Sequence, residues 1–398
     1  MKEPFAHNMM PRAASDERAR QNFVAGLKMH MEDNVYPSDR KIGETRVLPR
    51  FKADHGRAPN SRVEWRHAME ADPFFQSWSS IARSIQEMGW DAVSEIVSHE
   101  LPKLLKRSKI SNPKGSLHLD PDVEVPRYNA AIDIHCMPGG YHTDLTEDDV
   151  FAGAIYDRGA YYYVAGLLGR AAHTIDDQPD NKFGLFLEYQ GRATLAYIKE
   201  RYPDLNPKRI LDLGCTIGNS TLPYVDAFPD AEIYAIDVGA PSLRYAHARA
   251  ECFGKKVHYM QQSAEGTEFP DGHFDLVVSH GLLHETATQA TKNILKEANR
   301  LLAPGGVTMH ADPQFDIGLN LHDQFMHDWD TRNNAEPYWG KLHDLEPRGL
   351  MRDAGFPSQN ANAVWMTIGQ DGNPAFPEVQ DDPDLSNLGR GIIFGAHR

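Results

Sequence analysis

Residues 209 to 221 read Arg-Ile-Leu-Asp-Leu-Gly-Cys-Thr-Ile-Gly-Asn-Ser-Thr, and this stretch decides the fold. Its apolar start, 210–213, is typical of a buried parallel strand. Gly214 and Gly218 allow the backbone to approach a ligand closely, and the polar residues 219–221 can cap a following helix. The stretch therefore predicts a strand, a glycine loop and a helix that together hold a cofactor containing a nucleoside.

Short β-rich runs alternate with helical segments from about residue 205, which is typical of a parallel sheet covered on both faces. Strands are predicted at 209–213, 232–236, 257–261, 274–279 and 306–310, with helices near 219–228, 240–253 and 287–302. Two later β-rich runs, 361–368 and 391–396, are predicted to form a terminal antiparallel pair. We therefore expect an α/β, Rossmann-like sheet of seven strands over residues 205–398, with its last pair antiparallel.

The first part of the chain has a different sequence pattern, which predicts an N-terminal, mainly helical cap over residues 1–145. Apolar residues recur at roughly helical spacing between 79 and 105. This region is either a helical layer packed on the core, a lid over the active site or the arm of a homodimer. Residues 146–204 are predicted to form two helices that lead into the core and cover the cofactor.

Composition excludes several functions. The formal net charge of −15 would repel a phosphate backbone, and no basic stripe with interleaved aromatic residues is present, so nucleic acid is not expected as a partner. No apolar run reaches the length of a membrane span, which predicts a cytoplasmic protein without membrane contact. The three cysteines, Cys136, Cys215 and Cys252, are too scattered for a disulfide framework or a zinc motif.

The glycine spacing discriminates between cofactors. A dinucleotide fingerprint places glycines in the order Gly-x-Gly-x-x-Gly. In this chain Thr216 and Asn219 occupy the second and third of those positions, which disfavours an oxidoreductase that uses a dinucleotide. The order present is Asp212-x-Gly214-x-x-x-Gly218, and it resembles motif I of the class I S-adenosylmethionine-dependent methyltransferases, with Thr216 in place of the commoner central glycine.

Three further segments extend the resemblance to that family. The second predicted strand ends in Asp237, 19 residues beyond Gly218. Residues 264–277 match the family segment Ala-Glu-x-Leu-Pro-Phe-x-Asp-x-x-Phe-Asp-Leu-Val without a gap, although Ser263 replaces the Asp that precedes it in the family. Residues 294–307 resemble the helix, turn and fifth strand of the ubiquinone/menaquinone-type methyltransferases.

The resemblance implies S-adenosylmethionine as the cofactor and assigns residues to it. It implies that Asp212 accepts from the ammonium of the methionine moiety, that Asp237 accepts from both ribose hydroxyls and that Ala264 lies at the adenine edge. A tyrosine before motif I can cover the sulfonium through a cation–π contact. The full expected set is Asp212, Gly214, Cys215, Thr216, Gly218, Asp237, Val238, Ser263, Ala264, Glu265, His280 and Tyr163.

Histidines after the fourth and fifth predicted strands indicate where the methyl acceptor binds, because ligands of open α/β sheets lie beyond the carboxyl ends of the strands. Methyl transfer is an in-line displacement that mainly requires alignment, and a neutral histidine can remove an acidic proton from the acceptor. His284 is the first candidate for this base, with Glu285 or Asp312 as the orienting carboxylate. His280 and His310 complete the predicted catalytic set.

Cap residues and one later helix are predicted to contact the acceptor. His135, Tyr141 and His142 lie in a turn-rich segment, and Tyr156 lies in the first helix before the core. His327 belongs to a predicted helix in which it shares a face with Asp323 and Asp330. The ligand spacing there is not tight, and no metal is expected.

These patterns predict an enzyme that methylates O, N or S of a small organic molecule. A hydroxyl or thiol of a modest organic acid or secondary metabolite ranks first among the acceptors. A non-catalytic, cofactor-binding subunit of a methyltransferase-like complex is the alternative.

Overall fold

The computed structural model describes residues 7–167, 188–313, 315–368, 374–379 and 391–398, with side chains left undescribed from 161 to 167. A mixed sheet is at its centre, with strand order β1-β4-β3-β2-β5-β6-β9-β7-β8. The strands are β1 Ser116–His118, β2 Arg209–Leu213, β3 Glu232–Asp237, β4 His258–Gln261, β5 Phe274–His280, β6 Leu302–Pro313, β7 Asn362–Ile368, β8 Pro374–Ala375 and β9 Gly391–His397.

The α/β fold is confirmed, including the antiparallel end of the sheet. The strands β1 to β6 pair in parallel, whereas β9 is antiparallel to both β6 and β7. The prediction of seven strands was wrong by two short edge strands in the described chain. β8 has two residues and β1 has three, so neither is long enough to show an alternating pattern. β1 also belongs to the region predicted as mainly helical.

The turn between the predicted helix near 287–302 and the predicted strand at 306–310 lies inside the long strand β6. Phe274 pairs with Leu302 and Leu276 pairs with Val307, so the intervening residues of β6 bulge out of the ladder. Gly305 has φ +79°, which favours glycine. The turn prediction is therefore compatible with a strand that is interrupted by a bulge.

Helices cover both faces of the sheet and continue into the cap. The helices are α1 Ser15–His30, α2 Tyr36–Ile42, α3 Leu48–His55, α4 Arg62–Glu70, α5 Pro73–Arg107, α6 Arg127–Ala130, α7 Phe151–Leu167, α8 Tyr189–Arg201, α9 Leu222–Ala227, α10 Ala240–Cys252, α11 Thr288–Leu301, α12 Leu321–Asn333, α13 Trp339–Leu342 and α14 Pro347–Asp353. Helix α11 matches its predicted span within one residue at each end.

The N-terminal helices of the cap form one continuous helical run. Helices α1, α2 and α3 are joined by two π-helical segments, Met31–Val35 and Gly43–Val47, so the helical run extends to residue 55. Each π segment ends just before a proline-bearing turn, at Pro37 and Pro49. Proline removes an N–H and crowds the carbonyl four residues earlier, and a wider turn relieves that conflict.

The cap packs against the core through two apolar clusters. Trp65 and Trp78 of α4 and α5 pack with Phe325 and Trp329 of α12, and the ring centroids of Trp78 and Trp329 are 4.6 Å apart. A second cluster joins α5 and the loop around Ile134 to Ile217 and to helix α10. The cap is therefore held over the carboxyl edge of the sheet by the apolar contacts of both clusters.

Candidate active site

The glycine loop after β2 has the backbone conformation that its sequence predicts. Gly214 and Gly218 have φ of +69° and +70°, and Thr216 between them has φ +49°. A left-handed conformation costs a residue with a Cβ roughly 1–2 kcal/mol, which explains why glycine is commoner at the position of Thr216. A Cβ on Gly214 would lie 2.6 Å from Leu282, and one on Gly218 would collide with the hydroxyl of Tyr259. The two glycines therefore also make room for the protein's own side chains.

Asp212 at the end of β2 is buried and organises the polar side of the loop. Its Oδ2 accepts from the Thr221 hydroxyl at 2.5 Å, and its Oδ1 lies 3.3 Å from Nδ1 of His280. The other ring nitrogen of His280 lies 3.1 Å from the hydroxyl of Tyr224. His280 is thus placed on the cofactor side, against Asp212. The carboxylate retains lone pairs that fit an ammonium group.

Asp237 at the end of β3 is the second buried acid at this edge. One of its oxygens accepts from the backbone N–H of Thr216 at 2.9 Å and the other from that of Gly239 at 2.8 Å. Burial raises the pKa of Asp237 to about 6, and the two N–H groups oppose this shift. The acid is fixed in one orientation with acceptor capacity remaining, which fits a ribose diol.

The segment after β4 forms the third side of the expected cofactor site. The Ser263 hydroxyl accepts from the Glu265 N–H at 3.3 Å, while Ala264 packs on the apolar core. The carboxylate of Glu265 accepts from the Tyr128 hydroxyl at 3.0 Å and from the Asn293 amide at 2.9 Å. Glu265 therefore tethers the cap to α11.

The last predicted cofactor residues differ in what the structure describes. Cys215 is buried, and its N–H donates to the Ile236 carbonyl, while the Val238 carbonyl accepts from Gln261. Tyr163 lies outside the residues whose side chains are described.

Of the two carboxylates proposed to orient His284, Asp312 is the one hydrogen-bonded to its ring. Nδ1 of His284 lies 2.8 Å from Oδ1 of Asp312, and the backbone N–H of His284 donates to the same oxygen at 3.1 Å. Burial lowers the pKa of His284, but the hydrogen bond and charge of Asp312 outweigh it and raise the pKa above its ordinary value. Because Asp312 accepts a hydrogen bond from Nδ1–H, the neutral ring carries its free lone pair on Nε2.

A second group of charged side chains faces that free nitrogen. Glu285 accepts from Nε2 of His135 at 3.0 Å and from the hydroxyl of Tyr141 at 3.0 Å. Glu336 lies 2.5 Å from Nδ1 of His135. Burial lowers the pKa of His135, but Glu336 and Glu285 outweigh it and raise the pKa to about 10. His135, His284, Glu285 and Glu336 form what we call the imidazole–carboxylate cluster.

The backbone at His135 is strained and is fixed by the cap. His135 has φ +59°, which residues with a Cβ rarely adopt. Its carbonyl accepts from the indole N–H of Trp90 at 2.6 Å and from the Gln86 amide at 3.0 Å, both on α5. Strain of this kind costs about 1–3 kcal/mol and concentrates at functional sites.

Tyr156 connects the cofactor side to this cluster. Its ring is 5.5 Å from that of Tyr141, and its hydroxyl is close enough to Glu285 and Asp237 that both charges, together with burial, raise its pKa. The charge of Glu285 likewise raises the pKa of Asp237. Asp237, Tyr156 and Glu285 are therefore near enough to one another to interact electrostatically.

The cluster does not include His142, His310 or His327, which are also predicted for the acceptor site. Both ring nitrogens of His310 are hydrogen-bonded to buried hydroxyls, those of Ser279 and Thr308, and burial lowers its pKa to about 3. His327 bonds to Asp316 at 2.9 Å and stacks on Trp339, behind His284. Burial lowers the pKa of His142, which is half-buried. The charges that oppose this shift belong to Asp133 and Asp144, which are not in the cluster.

Sequence reasoning missed Glu336, which follows helix α12 in a turn. Its neighbour Ala335 has φ +55°, and the N–H of Glu336 donates to the Thr331 carbonyl, so the chain reverses there and buries the carboxylate. Glu336 is isolated from any recognisable motif in the sequence. Its burial next to two histidines depends on the docking of the cap.

The comparisons with known proteins concern the part of the chain that holds the glycine loop. A family model described as "Methyltransferase domain" matches residues 210–306. The demethylmenaquinone methyltransferase of Thermus thermophilus is 34% identical over 125 residues, covering 31% of this chain and 53% of that protein. A ubiquinone/menaquinone biosynthesis C-methyltransferase of Shewanella is 30% identical over 124 residues, covering 29% and 48%. The chain thus spans about half the length of these relatives.

Solved structures of similar proteins cover more of the chain at lower identity. A possible histamine N-methyltransferase from Thermotoga maritima has a TM-score of 0.38 at 16% identity and covers 58% of this chain and 97% of that one. The phosphoethanolamine N-methyltransferase 2 of Haemonchus contortus, bound to phosphomonomethylethanolamine and S-adenosylhomocysteine, has a TM-score of 0.40 at 15% identity and covers 57% and 60%.

Among the described helices, none combines the length and the apolar character that a crossing of the bilayer requires. The motif, the matched model and the sequence similarity agree on the region that holds the glycine loop and both buried acids. Residues 210–306 of this chain therefore match a methyltransferase domain, and the similarity supports the class I, S-adenosylmethionine-dependent type, with S-adenosylmethionine as the cofactor.

Proposed function

We propose that this protein transfers a methyl group from S-adenosylmethionine to O, N or S of a small organic molecule bound between the cap and the carboxyl edge of the sheet. The observation that carries the proposal is the His284–Asp312 pair, which leaves Nε2 of His284 free beside Glu285. Asp237 lies close enough to Glu285 to respond to its charge. A base and a cofactor residue at one place are what acceptor activation requires.

The cofactor supplies a methyl group already activated by the sulfonium, and this chain's residues do the rest. Asp212 is suited to bind the ammonium and Asp237 to bind the ribose diol. Tyr141 and Tyr156, with His135 above them, provide a partly apolar wall that can position the acceptor and exclude water. Neutral His284 takes the acceptor's proton on Nε2, and Asp312 stabilises the imidazolium that forms.

A small acceptor is favoured over a macromolecule. The residues that surround His284 are buried: its own side chain is 8% exposed and those of Glu285 and Glu336 are 12% and 2%. The wall contains tyrosines and a histidine, which suit a hydroxyl, thiol or amine on a compact ring or chain. The net charge of −15 argues against a polyanionic acceptor.

Two measurements test the proposal. Calorimetry with S-adenosylhomocysteine should give one site per chain, and an Asp212→Ala variant should lose it, because the ammonium then has no carboxylate. Incubation with a pool of organic acids and secondary metabolites should release S-adenosylhomocysteine. Tight cofactor binding without turnover of any pool would favour the non-catalytic subunit, and no cofactor binding at all would refute the proposal.

A further inference from the structure

The geometry points to a binding site for one divalent transition-metal ion in the imidazole–carboxylate cluster, with His135, His284 and Glu285 as ligands and Glu336 beside them. One ligand atom from each of the first three residues can be chosen so that all three lie within 4.8 Å of one another. This inference rests on the proposed function, because it states how the acceptor is held at the same site.

The distances suit an ion at the centre of the cluster. Oε1 of Glu285 lies 3.0 Å from Nε2 of His135 and 3.9 Å from Nε2 of His284, and the latter atom lies 4.0 Å from Oε2 of Glu336. Ligand atoms around a tetrahedral ion with bonds of about 2.1 Å are roughly 3.4 Å apart. Small side-chain movements therefore suffice to complete the coordination.

The charge of the cluster also favours a cation. The two carboxylates of the cluster, Glu285 and Glu336, and the adjoining Asp312 face its two imidazoles, and all three side chains are 12% exposed or less. Among the described residues, none of these carboxylates forms an ion pair with a lysine or an arginine. Buried carboxylates require compensation, and a divalent ion would supply it.

The surroundings of His284 and Glu285 resemble the supporting hydrogen bonds of known metal sites. Metal-binding histidines usually donate their second N–H to a carboxylate, which fixes the ring and its tautomer. Asp312 does this for His284 at 2.8 Å. The Tyr141 hydroxyl donates to Glu285. Because the donor set mixes imidazole and carboxylate, it selects ions such as Zn²⁺, Co²⁺, Fe²⁺ or Mn²⁺ over Ca²⁺ or Mg²⁺.

A second cluster, formed by Asp316, His327 and His343, is a weaker candidate. Asp316 accepts from the guanidinium of Arg62 at 2.5 Å and bonds to His327 at 2.9 Å. Its negative charge is already compensated, and the positive charge of Arg62 would repel an added cation. This cluster therefore serves as the internal control for the first.

A metal ion changes how the acceptor loses its proton. Nε2 of His284 can bind an ion or accept the acceptor's proton but not both, so the general-base role proposed above belongs to the metal-free protein. A bound ion would act as a Lewis acid that lowers the pKa of the acceptor's proton, and His284 would then serve as a ligand of the ion instead of as the base. The C–S bond of the sulfonium then breaks as the bond from the methyl carbon to the acceptor forms.

The test measures metal binding directly. The protein is stripped with a chelator and titrated with Co²⁺, which should give one equivalent per chain with visible absorption bands. His135→Ala and Glu285→Gln should each weaken binding at least tenfold, the lower bound typical even for residues that only orient metal ligands. His327→Ala should leave it unchanged.

Calorimetry with S-adenosylhomocysteine on the same samples reports folding and the proposed function independently. Normal cofactor binding without Co²⁺ binding by the wild type would overturn the metal site and leave the methyltransferase proposal intact. Retention of the Co²⁺ bands in both His135→Ala and Glu285→Gln, or their loss in His327→Ala, would also overturn it. Absence of cofactor binding in all samples would instead refute the proposed function.

Discussion

The two ends of the site are built in different ways. The cofactor end consists of β2, β3 and their loops, where the backbone N–H groups of Thr216 and Gly239 fix Asp237 and the Thr221 hydroxyl fixes Asp212. The acceptor end brings His135 from the cap together with Glu285 after β5 and Glu336 after α12. The first depends on local chain geometry and the second on the docking of the cap. A substitution at one end should therefore impair that end without impairing the other.

Replacement of His284 should give the largest effect on catalysis. In the metal-free protein His284→Ala should lower kcat by about 10²–10⁴-fold, the usual contribution of a general base. The affinity for S-adenosylhomocysteine should stay within twofold, because His284 belongs to the acceptor end. Initial rates and calorimetry check the two quantities, with the exposed His67→Ala as control. Equal loss of turnover and cofactor affinity would show that the two ends are not separable.

Acid should destabilise the protein through buried neutral histidines. Burial lowers the pKa of His343 to about 2, of His322 to about 4 and of His310 to about 3. Below the unfolded pKa of about 6.5 the unfolded chain binds more protons, so stability falls as the pH falls. Each histidine contributes about 1.4 kcal/mol per pH unit between its two pKa values.

A His343→Phe variant tests this origin. No ring nitrogen of His343 has a hydrogen-bond partner among the described residues, so an apolar ring of similar shape fits the site. Denaturant unfolding between pH 6 and 5 should show a slope lower by about 1.4 kcal/mol per pH unit than that of the wild type. An unchanged slope would mean that the pKa of His343 is not lowered in the folded protein.

Gly218→Ala should damage the cofactor end by steric conflict. The new Cβ would meet the Tyr259 hydroxyl, and φ at this position is +70°. We expect the free energy of unfolding to fall by about 1–3 kcal/mol and the cofactor to bind more weakly. Gly56→Ala is a matched control, since Gly56 also has φ +70° but nothing within 4 Å. Equal effects of both variants would attribute the damage to φ alone.

The smallest expected effect is the pH dependence of cofactor binding. The pKa of Asp237 is raised to about 6, so the acid is protonated below that pH and loses acceptor capacity for the ribose diol. The dissociation constant for S-adenosylhomocysteine should rise up to tenfold per pH unit below 6. Calorimetry from pH 5 to 8 checks this, and Asp237→Asn should abolish the dependence. A flat profile in the wild type would remove Asp237 from the ribose site.

The same contrast explains what could be predicted from the sequence. The strands from 209 to 313 and the glycine loop follow from short-range patterns, because each pattern is complete within a dozen residues. His284 and Asp312 were paired by their positions after neighbouring strands. Glu336 and the strand β1 were missed, since their partners are remote in sequence and the cap sets their position. The boundaries 1–145, 146–204 and 205–398 stay predictions.

Strand β1 has a consequence for the order in which the chain folds. Residues 116–118 pair with 258–260, and this edge cannot form until the ribosome has released a stretch some 140 residues further on. Contacts of such long sequence separation form late and slowly. The cap helices can form early, but β1 can join the sheet only after β4 has formed. Once β1 is paired, it covers the edge of β4 and prevents that edge from pairing with other chains.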